Sequence, residues 1–118
     1  MLVKILKSKL HGATVTDVKV YYTGSIAIDS VLMEAADIAP YEFVLIADLN
    51  NGNRLGTYAV PSEAGTGGIC ILGAAGRLID PKDRIIIFSF GYYSPDEAKK
   101  LKPKIIVLDK NNKIQDSK

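Results

Sequence analysis

The stretch EFVLIADLNNGNRLGTYAV, residues 42–60, sets two short apolar runs on either side of Asn50-Asn51-Gly52-Asn53. An Asn-Gly step tolerates positive φ, so residues 42–49 and 54–60 read as the arms of a β-hairpin. Runs of the same kind, short and rich in β-branched residues, occupy 3–7, 15–22, 69–72, 84–90 and 104–109. In 15–22, Val18, Val20 and Tyr22 alternate with Lys19 and Tyr21, as a half-buried strand requires. The unbroken Ile85-Ile86-Ile87-Phe88 predicts a strand buried on both faces. About seven strands with no helix between most of them point to a mainly-β domain, and a closed or nearly closed barrel covers the sheet edges most economically. Two short helices are expected. Asp29 can cap 30–37, and Ser94-Pro95-Asp96-Glu97 is a capping box whose helix must stop before Pro103.

Composition bounds the rest. The 118 residues are 47% apolar with a mean hydropathy of +0.12, which fits one well-filled core over 1–118 and excludes intrinsic disorder. One Cys and one His supply neither a disulfide framework nor a zinc site, so no metal is expected. Fifteen Lys and Arg against 13 Asp and Glu leave a charge of +2, too little for a phosphate-binding surface, and nucleic acid is not an expected partner. The start MLVKILKSKLHG is too short and too interrupted by lysine for a signal peptide, and no apolar run approaches the roughly 20 residues that span a bilayer. No membrane partner is expected, and the expected location is the cytoplasm. Residues 111–118 read as a polar tail.

Few side chains suggest chemistry by themselves. Cys70, inside Ile69-Cys70-Ile71-Leu72, reads as a small core residue rather than a nucleophile. His11, near Lys9 just after the first strand, reads as structural or exposed. Arg54, Gly56 and Tyr58 share one strand face, and glycine would leave room there for a small carboxylate on the guanidinium; the alternative is an exposed arginine on a hairpin. Gly65-Thr66-Gly67-Gly68 is similar to a phosphate loop but lacks the Lys-Ser or Lys-Thr and the following helix, leaving a flexible turn. Gly73-Ala74-Ala75-Gly76 offers small residues where a backbone can approach a ligand. Gly24-Ser25, taken alone, is an ordinary turn between strand and helix.

In order along the chain, Lys9-Leu10-His11, Val15-Thr16-Asp17, Tyr22-Thr23-Gly24-Ser25 and Ile28-Asp29 resemble the aspartate 1-decarboxylase family, the pyruvoyl enzymes that make β-alanine for pantothenate synthesis. The resemblance continues through Asn51-Gly52, Arg54, Thr57-Tyr58, Gly73-Ala74-Ala75 and Pro81 to Ile87, and reaches Pro103 to Asp109. It implies a six-stranded double-psi β-barrel with small capping helices, assembled as a homotetramer with active sites between neighbouring subunits. It also implies that the chain divides itself into 1–24 and 25–118, with Ser25 attacking the Gly24 carbonyl and ending as a pyruvoyl group that forms a Schiff base with L-aspartate. That step needs a strained peptide and an oxyanion donor, for which Thr57 stands in the matching position.

Further roles follow from the same resemblance. Tyr58 matches the proton donor, consistent with a phenol keeping its proton at neutral pH. Lys9 and Arg54 match the cations that recognise the substrate's carboxylates, with His11 and Tyr22 nearby, and Gly73, Ala74 and Ala75 match the substrate-binding backbone. Two positions depart from the family pattern. Leu72 stands where Asn is usual before Gly-Ala-Ala, and Leu55 where Phe usually follows the arginine. Losing a donor at an oxyanion costs up to about 10²–10³ in rate, so slow self-cleavage, aided by heat or a maturation factor, is expected. The alternative is a catalytically silent or unprocessed barrel serving as a binding or assembly module.

Overall fold

The structure, a computed structural model, describes residues 1–115. Its elements in chain order are β1 (Val3–Thr14), β2 (Asp17–Lys19), β3 (Ser25–Asp29), α1 (Ser30–Ala35), β4 (Phe43–Asp48), β5 (Arg54–Ser62), β6 (Ile69–Leu72), a 3-10 turn (Ala74–Arg77), β7 (Arg84–Tyr93), α2 (Pro95–Lys100) and β8 (Lys104–Val107). The ladder runs β2-β6-β3-β5-β4-β7-β1-β8. The mainly-β class with two small helices is what the sequence led one to expect.

The hairpin forms as read, with Phe43 opposite Tyr58 and Ala47 opposite Arg54. Its tip is fastened by its own asparagines: the side-chain amides of Asn51 and Asn53 both donate to the Leu78 carbonyl, and the Asn53 N–H donates to Asn51 Oδ1. Three pairings are parallel, β1 with β8, β2 with β6 and β3 with β5. A parallel pair needs a crossover, and α1 with β4 supplies it between β3 and β5.

Several expectations are corrected. The first strand does not stop at residue 7; it runs to Thr14, absorbing its breaks in register shifts between Leu6 and Ser8 and between His11 and Ala13. Gly12 sits in the second shift at φ +78, where a glycine is the natural occupant. The strand expected over 15–22 shrinks to Asp17–Lys19, and Ser25, read with Gly24 as a turn, instead opens a strand over Ser25–Asp29. β7 is not buried on both faces, because Ile85, Ile87 and Ser89 are buried while Ile86, Phe88 and Phe90 are only half-buried. Of the expected polar tail, residues 116–118 lie outside the described residues, and Asn112 is buried. Asn112 Oδ1 accepts from the Thr14 N–H, and its amide donates to the Thr14 and Gly67 carbonyls, tying the C-terminal segment to the end of β1.

The core lies on the inner side of the ladder, built from Leu10, Ile26, Ile28, Val44, Ile46, Ile69, Ile71, Ile85 and Ile87 and closed by Leu32 and Met33 of α1. Two polar side chains sit in it because each satisfies the other: the Ser8 and Ser89 hydroxyls share a 2.6 Å hydrogen bond. Both helix starts follow their sequence signals. Asp29 accepts from the Val31 N–H, and Ser94 and Glu97 complete the capping box.

Asp48, at the end of β4, is buried, and burial together with the neighbouring Asp83 carboxyl pushes its pKa up to about 6. A carboxyl that holds its proton more tightly when folded stabilises the fold fully below the unfolded pKa, and that contribution fades as pH rises through the folded value. The wild-type protein should therefore lose on the order of 1–3 kcal/mol at this site between about pH 4 and pH 6. Urea midpoints measured across that range should fall for the wild type relative to Asp48→Asn; parallel profiles would show that Asp48 ionises normally.

Candidate active site

Ser25 opens β3 and is 4% exposed. Its antiparallel partner in β6 is Leu72, and its neighbour Ile26 pairs in parallel with Ala59 of β5. Continued one residue back, that parallel register would bring Tyr58 level with Ser25; Gly24 and Thr57 come just before these two along the chain, Gly24 in a bend outside β3. Alternation then decides the faces. Ile26, Ile71 and Ala59 are fully buried toward the core, so Ser25, Leu72 and Tyr58 share the opposite, outer side.

The backbone around Gly24 is unusually close. Gly73, at φ +87, donates its N–H to the Lys19 carbonyl at 2.8 Å. A β-carbon on Gly73 would lie 2.6 Å from Gly24 Cα, 3.0 Å from Gly24 N and 3.0 Å from the Tyr22 carbonyl oxygen. All three are backbone atoms, so no side chain could move aside, and only glycine permits this approach. Ala74 and Ala75 continue into the 3-10 turn, and Tyr22, exposed, lies with its ring 5.2 Å from Lys19 Nζ.

The remaining expected residues are on the same outer side but not at the same spot. His11 of β1, Ile86 of β7, Ala47 of β4 and Arg54 of β5 form one cross-strand row, and Lys9, Phe88, Leu45 and Gly56 form the next. Lys9 Nζ stands 5.9 Å from the centre of the Phe88 ring. Arg54 is four residues from Tyr58 on one strand, ~13 Å at strand rise. The strand order separates β1 from β3 by β5, β4 and β7. One copy of the chain thus brings Tyr22, Gly24, Ser25, Leu72 and Gly73 together, with Thr57 and Tyr58 on β5 just ahead of its pairing with β3, and displays Lys9, His11 and Arg54 elsewhere on the same face.

Some readings change here. His11 lies within β1 and is half-buried, not after the strand. The face between Arg54 and Tyr58 is not open, because the Phe43 ring covers Gly56, whose β-carbon would meet Phe43 Cε1 and Cζ at 2.6 Å. Cys70 is half-buried rather than fully in the core, and burial pushes its thiol upward, which disfavours the nucleophilic thiolate. The Gly65–Gly68 turn is not loose: the Gly65 and Gly67 N–H groups donate to the Asp29 carboxylate. Burial pushes the Asp29 carboxyl up, but the donors Gly67, Val31 and Gly65 together bring it below its usual range. The glycine-rich loop does bind an anion, and that anion belongs to the chain itself.

A cavity of about 270 Å³ is lined by Asp29, Thr66, Gly67, Asn112 and Lys113 among others. It opens at the far end of β3 from Ser25, and none of the expected site residues lines it. The polar groups of Asp29 and Asn112 are already engaged by backbone, so it is a seam between loops rather than a reaction chamber. Among the described residues there is no cluster of His, Cys, Asp and Glu able to hold a metal, and no helix is long and apolar enough to cross a membrane.

One neighbour of Tyr58 was not legible in the sequence. The Tyr41 ring lies 6.1 Å from the Tyr58 ring, centre to centre, tilted by 36°. Tyr41 has φ +68, a conformation that bulky residues rarely adopt and that no sequence pattern announces.

The chain is similar in sequence to proteins of one family. A family model described as aspartate decarboxylase matches residues 1–115. A protein of Acetivibrio thermocellus named aspartate 1-decarboxylase is 51% identical over 114 residues, covering 97% of this chain and 90% of the relative. One of Moorella thermoacetica with the same name is 54% identical over 110 residues, covering 93% and 86%. Another, of Clostridium beijerinckii, is 46% identical over 116 residues, covering 98% and 94%.

Proposed function

The chain belongs to the aspartate decarboxylase family, and we propose that it converts L-aspartate to β-alanine and carbon dioxide, for pantothenate and coenzyme A synthesis, with a pyruvoyl group made from its own Ser25. The observation that supports this reading is the parallel pairing of β3 with β5, which begins at Ile26 and Ala59 and would, continued one residue back, bring Tyr58 level with Ser25. The slot fits such a group: Ser25 is buried, and the Gly73 backbone approaches Gly24 where a side chain would intrude.

Maturation begins when Ser25 Oγ attacks the Gly24 carbonyl carbon. The amide C–N bond breaks as an ester C–O bond forms, and the hydroxyl proton ends on the departing nitrogen. Loss of the Ser25 α-proton then expels Gly24 as a carboxylate, and water replaces the nitrogen, which leaves as ammonia. The Thr57 hydroxyl is the donor for the oxyanion at Gly24. Leu72, directly opposite Ser25, brings no donor to the same side, so self-cleavage should be slow and aided by heat or a maturation factor. That same residue favours a second reading, a barrel that stays unprocessed and acts as a binding or assembly module.

Once joined to the substrate's amine, a pyruvoyl group at position 25 would supply the electron sink for the charge left when carbon dioxide departs. The chain's own groups do the rest. Lys9 and Arg54 bind the two carboxylates, His11 and Tyr22 line the approach, the Gly73–Ala75 backbone orients the substrate, and Tyr58 delivers a proton to the α-carbon. Since one copy holds Arg54 ~13 Å along the strand from Tyr58, we place the complete site between neighbouring subunits of a homotetramer in the cytoplasm. The half-buried outer row of Leu45, Phe88 and Ile105 suits such a contact.

Intact-mass analysis after warm incubation tests the proposal. Fragments 1–24 and 25–118, the second with a blocked first residue, together with carbon dioxide release from aspartate, are expected. A chain that stays whole under every condition and releases no carbon dioxide favours the silent module. Gly73→Ala should cost about 2–4 kcal/mol, from overpacking and a left-handed backbone, and should slow cleavage at least about tenfold by displacing Gly24. Unaltered stability and cleavage in that variant would show that the Gly24–Gly73 contact is dispensable.

A further inference from the structure

We propose that Tyr41 is a positioning residue for Tyr58, an inference that rests on the reading of Tyr58 as proton donor. Its backbone is held in the left-handed region at φ +68 by bonds on both sides. The Tyr41 N–H donates to the Ala59 carbonyl at 2.7 Å, and the Ala59 N–H donates to the Glu42 carbonyl at 2.9 Å, so the turn is locked to the residue that follows Tyr58. Glu42 in turn receives Lys7 Nζ at 2.8 Å and the Ala39 N–H at 3.0 Å, on the same carboxylate oxygen. A braced turn thus sustains a backbone conformation that costs energy, and strain of this kind persists only where the surroundings enforce it.

The consequence lies in where the ring goes. Tyr41 is 75% exposed, so its ring is not there to fill the core. It meets the Tyr58 ring at 6.1 Å, within the range of favourable tilted aromatic pairs. Phe43, the cross-strand partner of Tyr58, is turned over Gly56 instead. Tyr41 is therefore the described aromatic ring packed against Tyr58, and it limits the swing of the phenol relative to Ser25. A proton donor must be held close to its acceptor atom, and small misplacements cost large factors in rate.

Tyr41→Gly separates positioning from a structural role, because glycine adopts positive φ without strain while removing the ring. The variant should be as stable as the wild type or more so and should cleave at Gly24 normally. Its kcat should fall about tenfold or more with KM for aspartate little changed, and the solvent deuterium isotope effect on kcat should rise as protonation becomes limiting. Tyr41→Phe, which keeps the ring, should restore kcat. If Tyr41→Gly turns over at the wild-type rate with an unaltered isotope effect while Tyr58→Phe has lost turnover, the inference fails and the role of Tyr58 stands. A fully active Tyr58→Phe enzyme overturns both.

Discussion

The Ser25→Ala protein should stay whole from residue 1 to residue 118, on heating as at rest, and should release no carbon dioxide from aspartate. Alanine lacks the oxygen that attacks the Gly24 carbonyl, so no ester forms, and nothing at position 25 can become a pyruvoyl group. The loss is complete rather than partial, because the substitution removes both the nucleophile of maturation and the precursor of the electron sink. The fold should survive. Ser25 is buried between β6 and β5, and exchanging its hydroxyl for hydrogen changes stability by about 1 kcal/mol. Circular dichroism and a urea midpoint near the wild-type value, beside one intact mass, are the expected outcome. Division between residues 24 and 25 in this variant would refute Ser25 as the nucleophile.

What the sequence disclosed depended on whether local chemistry or distant pairing made each feature. The hairpin of β4 and β5 was legible because Asn50 to Asn53 encode the turn by themselves, and α2 because Ser94, Pro95 and Glu97 form a complete start signal. β6 matched its expected bounds, since four apolar residues between two glycine-rich turns leave little choice. β3 was missed for the opposite reason. Four of its five residues are buried, so it shows no alternation, and the Gly24-Ser25 punctuation before it reads as a turn. The length of β1 was hidden by Lys7, Lys9 and Gly12, which interrupt the apolar pattern although register shifts carry the pairing past them.

The site divides in the same way. Arg54, Gly56 and Tyr58 on one face followed from strand period alone, but the Phe43 ring over Gly56 could not, since it comes from the partner strand. The parallel pairing of β3 with β5, which starts at Ile26 and Ala59, runs across a crossover, about which residue spacing says nothing. Asp29 shows how local and distant demands combine. Its role as helix cap was readable, whereas its capture of the Gly65 and Gly67 amides was not. That capture turns an apparent phosphate loop into a structural clasp.

Tyr58→Phe should divide normally between residues 24 and 25 yet lose kcat by about 10²–10⁴, the usual worth of a positioned general acid. The substitution deletes one oxygen and keeps the ring, so the contact with Tyr41 at 6.1 Å and the pairing with Phe43 survive. Maturation should be spared because the donor proposed for it is Thr57, one residue earlier on β5, whose side chain takes the other side of the strand. Substrate binding should be spared as well, since the cations Lys9 and Arg54 are untouched, and KM should move little. The separation of cleavage from turnover is the diagnostic point: a merely structural Tyr58 would impair both together or neither. Residual turnover by water is expected, because Tyr58 is 38% exposed in the single chain, and it should carry a larger solvent isotope effect than the wild-type reaction. Wild-type kcat in a fully cleaved Tyr58→Phe enzyme would assign the proton to another donor.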